Sequence, residues 1–256
     1  MTVSVSANLS GIDAYLLCGT PRTGSTLLCG LLRATDVAGR PESYFRLPDE
    51  QAWADRWQLP RNGAGAFDYG DYVRAAVVAG SSPNGVFGAR VMWGTLEEIV
   101  TQLGTVHPDI ADVGLELLTR AFGRIQFVFL WRDDTVAQAV SWARAEQTHF
   151  WQDGDTALPG HEPRFDFQEI HTLVQTIDEH NAAWRTWFAT FDVRPHLVRY
   201  EDLIADPAGV TRAILDYLGL HLSGDPVLAP RTRRQADQLN HDWIAQYGAW
   251  LARSAR

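Results

Sequence analysis

The fold of this chain is decided by residues 16–28, which read Leu16-Leu17-Cys18-Gly19-Thr20-Pro21-Arg22-Thr23-Gly24-Ser25-Thr26-Leu27-Leu28. The apolar run at 14–18 is typical of a buried strand, and the leucines after Thr26 indicate a helix. A turn bounded by Gly19 and Gly24 separates them. In such an arrangement, backbone N–H groups at a helix N-terminus bind an anion. The stretch therefore predicts either an anion-binding loop or a turn whose glycines only satisfy backbone geometry.

The turn departs from the nucleotide phosphate loop at one position. That template requires glycine, four residues, glycine, lysine, and then serine or threonine. Gly19, Gly24 and Thr26 fit it, but Ser25 stands at the lysine position and the turn's only basic side chain is Arg22. We expect the loop to hold a phosphate-like group without the lysine that serves the β- and γ-phosphates of ATP or GTP.

Composition limits the class of protein. The chain has 256 residues, 46% of them hydrophobic, and a formal net charge of −9. We expect a tail at 1–13 and a single α/β domain at 14–256. The negative charge argues against a general nucleic-acid binder, because neutralising a nucleic-acid backbone needs a basic face, although local basic sites are compatible with an acidic protein. We expect no membrane span and no secretory signal. Cys18 and Cys29 lack zinc-ligand spacing, so we expect no metal, and reduced thiols in a cytoplasmic protein.

Apolar patterning predicts strands that alternate with helices. Strands are predicted at 14–18, 86–93, 125–131 and 196–200. Helices are predicted at 25–35, 49–57, 69–79, 95–103, 108–121, 133–149, 167–191, 207–218 and 237–252. This alternation predicts a mostly parallel central sheet flanked by helices, with the ligand beyond the carboxyl ends of the strands. The first loop, Arg132 and the Tyr200-Glu201 corner are expected on that edge.

Two further arginines are associated with predicted strands. Arg132 follows the strand at 125–131, with Ser141 on the next helix, and Arg90 lies in the strand at 86–93. A lone arginine at a strand end often serves only in a structural ion pair. Two anion-binding elements on adjacent strand ends indicate instead a ligand with two separated anionic groups. We find no clear acidic strand of the kind that a magnesium-nucleotide enzyme needs.

These motifs together carry a family resemblance. Residues 20–28 resemble the 5′-phosphosulfate loop of sulfotransferases that use 3′-phosphoadenosine-5′-phosphosulfate (PAPS). Residues 131–134 with Ser141 resemble the 3′-phosphate element of those enzymes, and 198–203 resemble their late strand and helix. The chain resembles in particular the bacterial trehalose 2-sulfotransferase family, known from mycobacteria. The segments that carry this likeness are 22–28, 38–41, 83–90, 138–142 and 234–237.

The resemblance implies a P-loop-like sulfotransferase fold in a homodimer. It implies transfer of a sulfuryl group from PAPS, without a metal, to a hydroxyl of a carbohydrate or glycolipid. Arg22 would stabilise charge on the leaving phosphate as a catalytic residue, although a guanidinium is a poor proton donor. The implied donor contacts are Pro21, Arg22, Thr23, Gly24, Ser25, Thr26, Arg132, Ser141 and Arg234.

Aromatic side chains near residue 45 are candidates for the acceptor site, because aromatic rings stack on sugar faces. We expect Tyr44 and Phe45, together with Arg90, to contact the acceptor. The alternative is that Tyr44, Phe45, Trp53 and Trp57 close an apolar cluster.

The catalytic base is where the chain departs from the family. The family pattern reads Gly-Glu-Pro-x-Glu-aromatic-Phe, and its second glutamate is the base. Residues 39–45 here read Gly39-Arg40-Pro41-Glu42-Ser43-Tyr44-Phe45, so Ser43 stands at the base position. Either Glu42 takes the role of base or another acid or histidine does. This departure also puts trehalose itself in question as the acceptor.

Two other functions are compatible with an anion loop. The first is a nucleotide-dependent kinase of a small molecule, against which stand Ser25 and the missing metal carboxylate. The second is a nucleotide-binding protein that lacks a catalytic base, since Ser43 cannot act as one unaided.

Overall fold

The computed structural model describes residues 11–110, 114–151, 162–222, 224, 228 and 238–254. Its strands are β1 (Ala14–Gly19), β2 (Phe87–Met92), β3 (Ile125–Trp131) and β4 (His196–Arg199). Its helices are α1 (Ser25–Ala34), α2 (Leu47–Arg56), α3 (Tyr69–Gly80), α4 (Trp93–Val106), α5 (Leu115–Phe122), α6 (Thr135–Thr148), α7 (Phe167–Thr190), α8 (Tyr200–Ala205), α9 (Pro207–Tyr217) and α10 (Gln238–Ser254).

The strands form one parallel sheet in the order β2-β1-β3-β4. Its strands therefore end at a common edge, where Gly19 pairs with Met92 on one side and with Leu130 on the other. The chain leaves β1 for β2 in one direction and reaches β3 in the other. In open α/β sheets, ligands bind outside the carboxyl ends at such a reversal. The prediction of a mostly parallel sheet flanked by helices is confirmed.

The two faces of the sheet carry separate hydrophobic cores. Every residue of β1 is buried, as expected for a central parallel strand covered on both faces. Leu16 and Cys18 point into the core formed with α2–α5 and α7, whereas Tyr15 and Leu17 point into the core formed with α1, α8 and α9. A third cluster joins α6, α7 and α10. Helix α6, which follows β3, is thereby packed rigidly beside the sheet edge.

The aromatic side chains near residue 45 belong to the first of these cores. Tyr44 and Phe45 are 3% and 0% exposed. The ring centroid of Tyr44 lies 5.2 Å from that of Trp53, and Trp53 stacks on Trp57 at 5.3 Å. The apolar cluster is therefore the arrangement that forms. The expectation that Tyr44 and Phe45 stack on an acceptor is wrong for this structure, because both rings are enclosed by other side chains.

The predicted elements occur in the predicted order. The bounds of β3 are those predicted, and most other ends agree within a few residues. The corner after β4 is a short helix, α8, and the helix predicted at 108–121 is shorter, α5. Residues 1–10 lie outside the described part, so the tail and the single domain stay predictions. No helix in the described ranges combines the length and apolar character needed to cross a bilayer.

A buried carboxyl group couples the stability of the fold to pH. Glu50 on α2 is only 6% exposed. Burial, together with the negative charge of Glu98 on α4, raises the pKa of Glu50 to about 7 from 4.5, although the nearby hydroxyl of Tyr69 opposes the rise. The native state therefore favours the neutral carboxyl, and its contribution is fully present below pH 4.5 and lost as the pH rises through about 7.

Glu50→Gln is expected to remove this pH dependence, because glutamine has a similar shape and no charge. The variant should unfold with a higher free energy than the wild type at about pH 8 and a similar one at about pH 5. Urea unfolding at both pH values measures this. Glu116→Gln, an exposed site on α5, is the matched control. Equal pH dependence in wild type and Glu50→Gln would contradict the assignment.

Candidate active site

The turn after β1 needs both of its glycines. A Cβ atom on Gly19 would lie 2.7 Å from the carbonyl oxygen of Leu130, so only glycine allows β1 and β3 to approach this closely. Gly24 has a φ of +80°, and a Cβ there would lie 2.8 Å from the ring of Tyr200. Arg22 also adopts a positive φ, +67°. Alternation of left-handed residues turns successive backbone N–H groups toward one side, as in anion-binding nests.

Two buried side chains hold the turn from behind. Nε2 of Gln138, on α6, donates to Oγ1 of Thr20 and to the carbonyl oxygen of Pro21, at 2.7 Å in both cases. Nε1 of Trp184, on α7, donates to the carbonyl oxygen of Gly19 at 3.0 Å. Gln138 and Trp184 are both 0% exposed. Because these bonds are shielded from water, breaking one leaves a buried polar group unsatisfied.

The first turn of α1 has the features of an anion site. Its N-cap residue, Gly24, offers no side chain to the N–H groups of the turn. Helices α3, α6, α7 and α9, in contrast, each begin at an aspartate whose carboxylate accepts a bond from the helix backbone. Uncapped N–H groups and the helix dipole together favour a bound anion. The hydroxyl of Thr23 donates to the carbonyl of Thr20, so this residue offers its backbone rather than its side chain.

Arg90 supplies a positive charge at this turn. Its Nη1 donates to Oγ1 of Thr26 at 2.9 Å, and its Nε donates to Oγ of Ser43 at 2.8 Å. The guanidinium therefore connects the first turn of α1 with the residue at the family's base position. Its backbone N–H donates to the carbonyl of Glu42 at 2.9 Å, which holds residues 42 and 43 beside β2.

Glu42, the predicted base, forms an ion pair with Arg33 in the last turn of α1. The side chains of Glu42 and Arg33 are 36% and 46% exposed. An ion pair this exposed contributes little to stability, about 0–1 kcal/mol, so the carboxylate can exchange its partner at small cost. The hydroxyl of Ser43 already accepts a hydrogen bond from Arg90, and unlike a carboxylate it is too weak a base to take a proton.

Arg22 and Ser141, which were both predicted to contact PAPS, are bonded to each other. Nε of Arg22 donates to Oγ of Ser141 at 3.0 Å, and its Nη1 donates to the carbonyl oxygen of Trp151 at 2.5 Å. The loop's arginine thus extends toward α6. At the first turn of α1 it is Arg90 that bonds to Thr26, a role that sequence reasoning had not given it.

Arg132 lies at the same edge of the sheet, where its guanidinium packs over an aromatic ring. Its guanidinium carbon lies 4.6 Å from the ring centroid of Tyr200, the ring that packs against Gly24. The nearby acids Asp133 and Asp202 both pair with Arg199, at 3.1 and 2.6 Å. Arg234, the remaining predicted donor contact, lies outside the described residues.

A pocket opens beside Arg22. It is lined by Arg22, Ser141, Arg144, Ala145, Thr148, Phe150 and Asn240. Sequence reasoning missed Arg144 and the role of Gln138. The signal was their spacing, since residues 138, 141 and 144 lie three apart along α6 and therefore share one side of it.

In the described part of the chain, no three histidine, cysteine, aspartate or glutamate side chains are grouped so that they could hold a metal ion. Both cysteines are buried, and burial raises the pKa of Cys29 to about 11 and that of Cys18 well above its usual value. A buried neutral thiol is a poor nucleophile.

Comparison with known proteins assigns the class. The family model for Stf0 sulphotransferase matches residues 14–249, nearly the whole chain. A fold and site of this kind, matched over that length, define a sulfotransferase. The chain belongs to the Stf0 sulphotransferase family.

Curated relatives agree with this assignment over most of their length. The chain is 29% identical over 272 residues to the trehalose 2-sulfotransferase of Mycobacterium tuberculosis, covering 93% of this chain and 95% of that protein. It is 30% identical over 258 residues to the trehalose 2-sulfotransferase of Mycolicibacterium smegmatis, covering 91% and 94%. A solved sulfotransferase structure from Alicyclobacillus acidocaldarius aligns with 98% of this chain and 94% of its own, with 13% identity and a TM-score of 0.49.

Gln138→Met is expected to loosen the turn, because it removes both donors from Thr20 and Pro21 while filling a similar volume. Unfolding free energy should fall by about 1–3 kcal/mol, and affinity for an adenine nucleotide carrying a 5′-phosphate should weaken. Urea unfolding and calorimetric titration measure the two effects. Gln147→Met is the control, since Gln147 lies on the same helix but bonds to Arg164 and Glu169. Unchanged nucleotide affinity in Gln138→Met would count against the loop as the binding site.

Proposed function

We propose that this sulfotransferase moves a sulfuryl group from PAPS to a hydroxyl of a carbohydrate or glycolipid. The observation that carries the proposal is a pair of separate cationic sites on one sheet edge. One is the uncapped first turn of α1 beside Arg90, and the other is the pocket of Arg22 and Ser141 beside α6. PAPS has two separate anionic groups, its 5′-phosphosulfate and its 3′-phosphate, which fit these two sites.

The donor contacts follow from that match. Backbone N–H groups of residues 23–26 would hold the 5′-phosphosulfate. The bond from Gln138 to the carbonyl of Pro21 supports this turn on its opposite side. Ser141 and Arg22 would hold the 3′-phosphate, and Arg132 lies next to the loop through Tyr200. Arg234 stays a proposed contact from the family resemblance. When bound, PAPS supplies the sulfuryl group that is transferred.

Hydrogen-bond donors of the chain itself would stabilise the negative charge that develops during the transfer. Negative charge grows on the leaving phosphate, where the N–H groups of α1 and the guanidinium of Arg90 are held in place before the reaction. Removal of one such preorganised donor typically costs about 3 kcal/mol of barrier. Arg22, proposed from the sequence for this role, is bonded to Ser141 in the structure, so we assign the larger share to Arg90.

Glu42 is the base that we propose. Its carboxylate pairs with Arg33, and its backbone carbonyl accepts a bond from the N–H of Arg90, whose guanidinium bonds to the neighbouring Ser43. To accept a proton from the acceptor hydroxyl, it exchanges its exposed pairing with Arg33. Ser43 would orient the acceptor through its hydroxyl. Trehalose is the acceptor named for the two mycobacterial relatives. We propose the wider carbohydrate class, since Ser43 stands at the family's base position.

The resemblance also supports a homodimer, and the two free cysteines are compatible with a cytoplasmic location. The two rival functions are a small-molecule kinase and a nucleotide-binding protein without a catalytic base.

Adenosine 3′,5′-bisphosphate is expected to stabilise the protein strongly, and magnesium-ATP much less. Only the bisphosphate can fill both cationic sites, and at about a hundred times its Kd the stabilisation should reach about 2.7 kcal/mol. Thermal unfolding with each nucleotide measures the difference. Stronger stabilisation by magnesium-ATP would favour the kinase.

Glu42→Gln is expected to lower kcat for sulfuryl transfer from PAPS about a hundredfold or more, because a general base contributes that much. Affinity for adenosine 3′,5′-bisphosphate should not change. The assay follows labelled sulfate from PAPS onto a panel of sugars and glycolipids. Asp36→Asn, which neutralises an exposed acid just after α1, should keep full activity. An active Glu42→Gln enzyme would place the base elsewhere, and an inactive wild type on every acceptor would favour the non-catalytic reading.

A further inference from the structure

Arg144 lines the pocket beside the turn after β1 and has no role in the donor contacts proposed above. It follows Ser141 by three residues on α6, and both side chains line the pocket with Arg22. Nη1 of Arg144 donates to Oδ1 of Asn240, which lies on α10. Asn240 is only 6% exposed, so the bond joins the pocket to the C-terminal helix inside the protein.

The chemistry of the pocket favours a doubly charged anion. Its described lining residues include the guanidiniums of Arg22 and Arg144 and the hydroxyls of Ser141 and Thr148, and none of them is acidic. A phosphate monoester carries nearly two negative charges and three acceptor oxygens at neutral pH. Guanidinium groups bind such an oxyanion in a bidentate manner.

Helix α10 gives Arg144 a fixed orientation. Trp243 and Tyr247 of α10 pack in one cluster with Val140 and Ala143 of α6, so the two helices cannot slide independently. A guanidinium is planar and carries five N–H donors. The bond from Nη1 to Asn240 fixes the plane of the Arg144 guanidinium at the pocket.

We propose that Arg144 is a specificity-determining residue that binds the nucleotide's 3′-phosphate together with Arg22 and Ser141, and that Asn240 is its positioning residue. The inference rests on the proposed use of PAPS. Through Asn240, helix α10 would take part in the recognition of PAPS. The enzyme distinguishes a 3′-phosphorylated nucleotide from ordinary adenine nucleotides through a residue that α10 holds in place.

The test compares two probes that differ only in the 3′-phosphate, adenosine 3′,5′-bisphosphate and adenosine 5′-monophosphate. For Arg144→Ala, calorimetric titration should show bisphosphate affinity lowered about tenfold or more, with monophosphate affinity changed by less than about twofold. Arg144→Lys should retain part of the preference, because it keeps the charge without the fork. Asn240→Ala should lower the preference by a smaller factor. In the double variant with Arg144→Ala it should add nothing.

Arg120→Ala is the matched control. It removes the same charge from an exposed site on α5, the helix that leads into the amino end of β3 and thus lies away from the carboxyl edge. It should leave both affinities unchanged. Melting temperatures without nucleotide identify any variant that folds poorly, and if Arg144→Ala does, the nucleotide preference of Arg144→Lys decides instead.

Equal weakening of both nucleotides in the Arg144 variants, or no weakening, would overturn the inference and leave Arg144 a structural residue. A wild-type protein that does not prefer the bisphosphate would instead contradict the proposed donor. The two failures are therefore distinguishable in one experiment.

Discussion

The turn after β1 is held in place by two hydrogen bonds from Gln138 and one from Trp184, and the rest of the site depends on them. Gln138 comes from α6 and Trp184 from α7, so the helices that cover one end of the sheet also fix the loop. The same placement of α6 puts Ser141 against Arg22. The placement of α6 thus fixes the shape of the loop and also brings Ser141 into contact with Arg22.

The doubly anionic donor that we propose is compatible with an acidic protein, because the arginines of this chain are concentrated locally. The chain carries a net charge of −9, yet Arg22, Arg90, Arg132 and Arg144 are associated with the elements of one sheet edge. Two acids of that edge are neutralised by Arg199. Fields of opposite sign elsewhere on the surface are screened within about 10 Å at ordinary ionic strength, so the local charges dominate at the site.

Sequence patterns predicted the sheet well because they depend on short-range physics. The strand β3 is a continuous apolar run, and its bounds were correct to the residue. The glycines of the turn were also predictable, because a close approach and a positive φ tolerate little else. The motifs in their order were enough to indicate the family that the family model then matched.

Side-chain partners across the fold were not predictable in the same way. The burial of Tyr44 and Phe45 depends on α2 and α3 closing over them, which a glycine- and proline-rich segment does not reveal. The pairing of Glu42 with Arg33, and the contact of Arg90 with Thr26, join residues whose spacing follows only from the packed structure. The catalytic assignments are for this reason the part of the account that rests most on geometry.

A crystal structure with adenosine 3′,5′-bisphosphate tests the central claim most directly, that the two cationic sites bind one nucleotide. The account predicts the 5′-phosphate on the backbone N–H groups of residues 23–26 and the 3′-phosphate beside Ser141. A nucleotide bound away from the carboxyl edge of the sheet, or with its two phosphates exchanged between the sites, would contradict it.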